Sequence, residues 1–243
     1  MPEISLTSLF SVILEHILLT LSNAMQQQTL PSTQRRPLPG DALIVIDVQH
    51  DFLPGGSLAV KNGDQVIPVI NRLTPHFGMV ILTQDWHPAN HISFADQHDG
   101  KQAFETIALP YGPQTLWPRH CVQSTDGAEL SKDLNIPHAQ LIIRKGFHQN
   151  VDSYSAFLEA DRKTSTGLMG YLRERDVQHV YLCGLATDFC VAWSALDART
   201  YGFEATVIED ASGAIDLNGS LQKAWNDMQQ VGVSRVLSSA ITG

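Results

Sequence analysis

The stretch VYLCGLATDFC, residues 180–190, decides the fold class. Its start, Val180-Tyr181-Leu182, is an apolar run typical of a buried strand, and Gly184 is expected to end that strand. A helical pattern follows, with Asp188 and Cys190 where the helix begins. A thiol at that point meets free backbone N–H groups and the positive end of the helix dipole, which favour a thiolate. The stretch therefore predicts a nucleophile and, through the same N–H groups, a site for an oxyanion.

Apolar runs alternate with helical patterns on both sides of this stretch. Near-continuous apolar strands separated by helices are typical of a parallel sheet that is covered on both faces. We therefore predict a three-layer α/β/α fold with a central, mostly parallel sheet of about six strands. The predicted strands span residues 42–48, 79–83, 140–145, 180–183, 204–209 and 234–237, and the predicted helices span 66–77, 166–175, 188–201 and 219–230. Residues 88–133 are expected to be a long irregular segment, which within a domain is usually functional.

Composition excludes several classes of protein. The chain has 243 residues, a formal net charge of -9 and no run of Lys or Arg. An acidic chain of this kind is not expected to bind nucleic acid or an anionic membrane. Its three cysteines are too few for a disulfide framework and suit a reducing compartment, so a cytoplasmic protein is expected.

The first forty residues differ from the rest. Leu9–Leu21 is apolar but too short to span a bilayer, and it is interrupted by Glu15 and His16. We predict that residues 1–40 are an extension and linker, disordered or amphipathic, and that residues 41–243 form one domain. A secretory signal peptide is the alternative for the extension, because small residues at positions 22–24 offer a cleavage-like spacing.

Reactive side chains stand at the ends of several predicted strands: Asp47, Asp85, Lys145 and the turn that carries Cys190. In open α/β sheets, ligands bind beyond the carboxyl ends of the strands, so these groups are expected to converge. The charge of Lys145 would lower the pKa of Cys190. The carboxylate of Asp47 would accept the thiol proton and later protonate a leaving amine. The set predicts acyl transfer through a thioester, followed by hydrolysis.

A second set of side chains has the spacing of metal ligands. In Asp85-Trp86-His87 the two ligand-type residues are two apart just past a strand, so both can face one way. His120 comes from the long irregular segment. One carboxylate and two imidazoles with open positions would suit Zn²⁺, Fe²⁺ or Mn²⁺. His91 is a further candidate, either as a ligand or as a partner that orients one.

With these residues in place, the chain resembles the nicotinamidase branch of the isochorismatase-like cysteine hydrolases. The resemblance runs in family order from about residue 40 to the C-terminus. It rests on the segments 45–52 (VIDVQHDF), 55–58 (GGSL), 84–91 (QDWHPANH), 117–123 (WPRHCVQ), 145–146 (KG), 152–157 (DSYSAF) and 184–190 (GLATDFC).

The resemblance implies metal-dependent hydrolysis of nicotinamide to nicotinate and ammonia in NAD salvage, and by ring shape also deamidation of pyrazinamide. It also implies a role for each matching residue. The catalytic triad is Asp47, Lys145 and Cys190. The metal ligands are Asp85, His87 and His120. The backbone N–H groups of Ala186 and Cys190 form the oxyanion hole, with a cis peptide bond between Leu185 and Ala186. Phe52, Trp117 and Tyr154 bind the substrate ring.

Other functions remain open on the sequence. The nearest alternative is another amidohydrolase of the same superfamily, acting on carbamoyl compounds or other small amides. An alternative of another class is a non-catalytic module that binds a small molecule in the crevice of the sheet. If the chain hydrolyses nicotinamide, we expect nicotinamide as the partner molecule, one divalent metal ion as the cofactor, and a monomer or homodimer.

Overall fold

A six-stranded parallel sheet forms the centre of the molecule. In this computed structural model, which describes residues 36–243, the strands of that sheet are β1 (Ala42–Ile46), β2 (Met79–Asp85), β5 (Leu141–Lys145), β6 (His179–Leu185), β7 (Glu204–Gly213) and β8 (Ser234–Val236). Their order across the sheet is β5-β2-β1-β6-β7-β8, and every neighbouring pair is parallel. The predicted fold class is therefore confirmed, and the sheet is wholly rather than mostly parallel.

Helices cover both faces of the sheet. The helices are α1 (Val66–Leu73), α2 (Leu168–Arg173), α3 (Ala192–Thr200), α4 (Ser220–Gln230) and α5 (Ser239–Thr242). Alternate side chains of β1 enter different cores: Leu43 packs with buried residues of α1 and α5, whereas Ile44 packs with buried residues of α2, α3 and α4. This period of two is what a strand with two buried faces requires.

The segment 88–133 is less irregular than the sequence indicates. It contains an antiparallel hairpin of β3 (Thr106–Leu109) and β4 (Gly112–Thr115), which lies outside the main sheet. Isolated bridges pair His87 with Val122 and Phe94 with Trp117. These pairings bring the segment back over the end of β2, where its aromatic and histidine side chains line a pocket.

The order of the strands places a crevice between β1 and β6. From β1 the chain adds β2 and β5 on one side, whereas from β6 it adds β7 and β8 on the other. A crevice at such a reversal, outside the carboxyl ends of the strands, is where open α/β sheets bind ligands. Asp47 follows β1 directly, and the stretch that carries Cys190 follows β6.

The predicted extension 1–40 lies almost wholly outside the described residues, as does the apolar run from residue 9 to residue 21. Within residues 36–243, no helix has both the length and the apolar character that crossing a membrane would need.

Candidate active site

Strand β6 leads into the site through a backbone that requires glycine. The strand does not end at Gly184, as predicted, but runs on to Leu185. Gly184 has a φ of +111°, and a Cβ atom there would lie 2.1 Å from the carbonyl oxygen of Ile46 on β1. Glycine is therefore needed because two strands approach closely, and not because a strand stops.

The turn after β6 carries the thiol. The bond between Leu185 and Ala186 is cis, as the resemblance implies. Residues Thr187–Val191 form a π-helical turn, and α3 begins at Ala192, a few residues later than predicted. Cys190 thus lies in a helical turn at the end of a strand, and its side chain is buried. The hydroxyl of Ser194 accepts from the N–H of Ala156 at 2.9 Å and donates to the carbonyl of Cys190 at 2.6 Å.

The three groups of the predicted triad lie together. The Nζ atom of the fully buried Lys145 is 2.8 Å from Oδ2 of Asp47 and 3.3 Å from Sγ of Cys190. It also donates to the carbonyl of Ser153 at 2.9 Å and contacts the carboxylate of Asp85. The ammonium group of Lys145 therefore contacts the carboxylates of Asp47 and Asp85 as well as the thiol of Cys190.

Burial and charge set the protonation states of this cluster. Burial raises the pKa of the Cys190 thiol, and the nearby charge of Lys145 opposes this without reversing it. The predicted lowering by Lys145 is therefore present, but desolvation outweighs it, so the pKa of the thiol is raised overall. Burial also raises the pKa of Asp47 to about 6 against the opposing effect of Lys145. A carboxyl group with a pKa in this range can both accept and return a proton near neutral pH.

The predicted metal ligands converge on one point. Ligand atoms of Asp85, His87 and His120 all lie within 4.8 Å of one another, and all three side chains are buried. Oδ2 of Asp85 is 3.6 Å from Nε2 of His87 and 3.9 Å from Nε2 of His120. The spacing of two residues between Asp85 and His87 therefore does bring their side chains together at the end of β2.

The backbone fixes both imidazole rings in the form that a metal needs. Nδ1 of His87 is 2.8 Å from the carbonyl of Gly146, and Nδ1 of His120 is 2.8 Å from the carbonyl of Pro118. A carbonyl accepts only from a protonated nitrogen, so Nε2 of each neutral ring is left as an acceptor that faces Asp85. Such anchoring of the second nitrogen is the usual arrangement around metal-binding histidines. The donor set therefore fits a divalent cation.

His91 does not join this set. Its Nδ1 is 2.7 Å from Oγ of Ser93, and its Nε2 is 3.2 Å from the carbonyl of Val151. Both nitrogens are thus occupied, and the ring packs on His87 with centroids 4.2 Å apart. His91 supports the ring of His87 from behind.

Aromatic side chains form the walls of a cavity between the thiol and the predicted metal ligands. The predicted ring-binding residues Phe52, Trp117 and Tyr154 all line it. The indole N–H of Trp117 donates to the hydroxyl of Tyr154 at 2.9 Å, so the two walls hold each other in place.

Three residues of the site were not predicted. Phe189 lines the cavity and packs edge-on against Trp117, at 4.9 Å between ring centroids. Asp152 is a buried carboxylate in the cavity wall. The amide of Gln49 donates to the carbonyl of Asp85 and accepts from its N–H, both at 2.8 Å, and so fixes the backbone of a metal ligand. The sequence offers a signal for two of them, because Phe189 is next to Cys190 and Gln49 is two residues after Asp47.

Comparison with known proteins gives consistent matches. The Isochorismatase domain family matches residues 41–240. A nicotinamidase of Acinetobacter baylyi is 63% identical over 200 residues, which are 82% of this chain and 94% of that protein.

Solved structures match as well. The PnC1 protein of L. infantum in complex with nicotinate is 39% identical, with a TM-score of 0.75 over 85% of this chain and 96% of that one. A pyrazinamidase of Pyrococcus horikoshii in complex with zinc is 37% identical, with a TM-score of 0.68 over 82% of this chain and 99% of that one.

Proposed function

The chain belongs to the isochorismatase family, and from this membership and its site we propose that it hydrolyses nicotinamide to nicotinate and ammonia. One observation carries the proposal. A thiol beside a buried ammonium and a carboxylate shares one aromatic-walled cavity with a convergent Asp-His-His set. The thiol with its ammonium and carboxylate suits nucleophilic attack on an amide. The Asp-His-His set suits a metal ion that binds a pyridine nitrogen.

Substrate binding is assigned to the metal ligands and the aromatic walls. Asp85, His87 and His120 would hold one divalent ion, Zn²⁺, Fe²⁺ or Mn²⁺. When bound, the ion supplies a Lewis acid for the ring nitrogen and thereby fixes the ring as on a template. Phe52 and Trp117 would hold the faces of the ring. The related pyrazinamidase in complex with zinc and the related protein in complex with nicotinate support a metal ion and a pyridine ring as ligands.

Attack on the amide is assigned to Cys190. Asp47 accepts the thiol proton as Sγ forms a bond to the carboxamide carbon, and Lys145 stabilises the negative charge as it moves from the carboxylate to the sulfur. The carbonyl oxygen becomes an oxyanion, which the N–H groups of Ala186 and Cys190 would bind. The carbon–nitrogen bond then breaks, and Asp47 returns its proton to the departing ammonia.

Hydrolysis of the thioester repeats these roles with water. Asp47 removes a proton from a water molecule as its oxygen attacks the thioester carbon. The second tetrahedral intermediate expels Sγ of Cys190, which regains a proton from Asp47, and nicotinate leaves. A pKa of about 6 suits Asp47 to a cycle in which it accepts and returns one proton twice.

The same site would accept pyrazinamide, since its ring has the same shape and keeps a nitrogen in the position that faces the metal ligands. Another amidohydrolase activity, on carbamoyl compounds, would not need the Asp-His-His set. A non-catalytic binding module would not need a thiol, an ammonium and a carboxylate in contact.

Ammonia release from the purified chain tests the proposal. We expect release from nicotinamide and pyrazinamide, loss of that release after treatment with a chelator, and its return on addition of Zn²⁺, Fe²⁺ or Mn²⁺. Release from carbamoyl amides but not from nicotinamide would favour the alternative amidohydrolase. No release from any amide by metal-loaded protein would favour the binding module.

A further inference from the structure

Asp152 is a buried carboxylate in the cavity wall to which the proposed reaction gives no role. Its side chain is 2% exposed and lines the same cavity as Cys190 and the metal ligands. Oδ2 accepts from Nε2 of Gln114 at 2.7 Å, and Oδ1 accepts from the N–H of Ser153 at 2.8 Å. Both of these donors are uncharged. A buried carboxylate with neutral partners is costly unless a positive charge is near.

Asp152 lies beside His87, one of the proposed metal ligands. Its carboxylate and ring nitrogens of His87 and His91 are within 4.8 Å of one another. His87 directs Nδ1 to the carbonyl of Gly146, and His91 has both nitrogens occupied. The carboxylate therefore approaches the metal position as a neighbour of the ligands and not as part of the convergent set.

The fixed charges in and around the cavity sum to two negative units. In the described part of the chain, Lys145 is the one permanent cation that lines this cavity or contacts its carboxylates. Asp85 and Asp152 line the cavity, Asp47 contacts Lys145 beside it, and all three carboxylates are buried. One cation against three anions gives a net charge of two negative units, and a divalent metal ion would bring the cavity to neutrality. In such a site the ion is the largest local charge.

We propose that Asp152 is a positioning residue of the metal site, which raises the affinity for a divalent cation by its charge without ligating the ion. Gln114, itself 1% exposed at the end of the β3–β4 hairpin, holds the carboxylate in place. This inference rests on the proposed metal site. It gives the hairpin a function, because the hairpin supplies the side chain that orients Asp152.

The dissociation constant for Zn²⁺, measured by competition with a chromophoric chelator on substrate-free protein, tests the inference. Asp152→Asn keeps the shape and one of the two accepting oxygens but removes the charge. We expect Zn²⁺ to bind the variant about ten- to a hundredfold more weakly, as for other partners that surround metal ligands. Asp152→Glu, which restores the charge, is expected to recover most of the affinity. If Asp152→Asn does not fold, Asp152→Ser provides a second neutral variant.

Glu159→Gln is the matched control. Glu159 is a carboxylate of the same segment, also 2% exposed, but it pairs with His148 outside the cavity. Its variant should bind Zn²⁺ as tightly as the wild-type chain. Equal Zn²⁺ affinity of wild type and Asp152→Asn would overturn the inference and leave the proposed function standing. The same holds if the metal-free variant is less stable than the wild-type chain but binds Zn²⁺ equally tightly. A wild-type chain that binds no divalent ion would overturn the proposed metal site as well.

Discussion

At the scale of single residues, Lys145 links the two halves of the site. It is fully buried, and it contacts Asp47 and Cys190 on the reaction side and Asp85 on the metal side. Burial lowers the pKa of a lysine, but the two carboxylates more than compensate, so the pKa of Lys145 lies well above its ordinary value. The ammonium therefore keeps its charge through the reaction and acts as a fixed electrostatic support.

Asp47→Asn tests the assignment of the base. The amide has the shape of the carboxylate but cannot accept the thiol proton, so we expect kcat for nicotinamide to fall by about 10²- to 10⁴-fold. Zn²⁺ content should change little, since Asp47 is outside the ligand set and its charge is already paired with Lys145. Asp96→Asn, which alters a half-exposed carboxylate paired with Arg119, is the control and should retain full activity. A kcat for Asp47→Asn within a fewfold of wild type would remove Asp47 from the mechanism.

His87→Ala tests the ligand set. We expect the variant to lose bound metal and to bind nicotinamide more weakly, because one of three ligands is removed and the ring nitrogen loses its grip. Elemental analysis of the purified protein provides the measurement. His50→Ala is a suitable control, since His50 contacts a loop carbonyl away from the cavity. Metal content equal to wild type would remove His87 from the ligands.

The convergence of reactive side chains is predictable from the sequence where those side chains stand at the ends of strands. Asp47, Asp85 and Lys145 were found because each follows an apolar run, and a parallel sheet must bring such positions to one edge. The raised pKa of Cys190 could not be predicted in the same way, because it depends on how completely the thiol is buried. Asp152 was missed for a similar reason: its role follows from its distance to His87 in space, and no strand end marks it.

At the scale of elements, the turn after β5 shapes the metal site. Gly146 has a φ of +64°, and a Cβ atom there would lie 2.4 Å from Cε1 of His87. The residue after Lys145 thus leaves room for the ring and provides the carbonyl that anchors it.

Gly146→Ala is therefore expected to displace the ring of His87 and to weaken Zn²⁺ binding by at least about tenfold. Gly100→Ala is a matched control, because Gly100 has a similar φ of +72° but open space where its Cβ would stand. Backbone strain of about 1–2 kcal/mol should be common to both variants, whereas the loss of metal affinity should appear only in the first. Equal Zn²⁺ affinities of the two variants would show that Gly146 does not shape the site.

The π-helical turn depends on one hydroxyl from α3. Ser194 is fully buried and bridges the N–H of Ala156 and the carbonyl of Cys190. Ser194→Ala leaves both partners unsatisfied, so we expect the free energy of unfolding to fall by about 1–3 kcal/mol. Denaturation by urea would measure it. A change within about 0.5 kcal/mol, as for an ordinary surface substitution, would contradict this role.

Elements were predictable where hydrophobic periodicity was strong, and less so where tertiary contacts overrule local signals. The six strands of the sheet were all placed from apolar runs. Gly184 was misread as a strand end because its close approach to Ile46 involves another strand. The β3–β4 hairpin was missed because its strands are short and partly exposed, and therefore lack a marked pattern.

At the scale of the whole molecule, the sheet order explains why distant segments share one cavity. Asp47 and Cys190 follow the two central strands on either side of the reversal, and Asp85 and Lys145 follow the next two strands outward. Register places Asp85 opposite Lys145 and Ile46 opposite Gly184. The predicted catalytic and metal-binding side chains therefore stand at or just beyond the carboxyl ends of four adjacent strands.

Metal binding should consequently stabilise the whole domain. An ion that binds the native state at a hundred times its dissociation constant adds about 2.7 kcal/mol. For a domain of this size we expect the midpoint of thermal unfolding to rise by about 5–10 °C on addition of Zn²⁺ to metal-free protein. Calorimetry would measure the shift, and His87→Ala should lose most of it. No rise in the wild-type midpoint at saturating Zn²⁺ would contradict an ion bound within the core.

The most direct test of the account is steady-state hydrolysis of nicotinamide by wild type and by Cys190→Ala, with the metal content of each sample measured alongside. We predict that the wild-type chain forms nicotinate and ammonia in equal amounts, and that Cys190→Ala has no detectable turnover while its metal content is unchanged. Turnover by Cys190→Ala at the wild-type rate would contradict the central claim that this thiol attacks the amide.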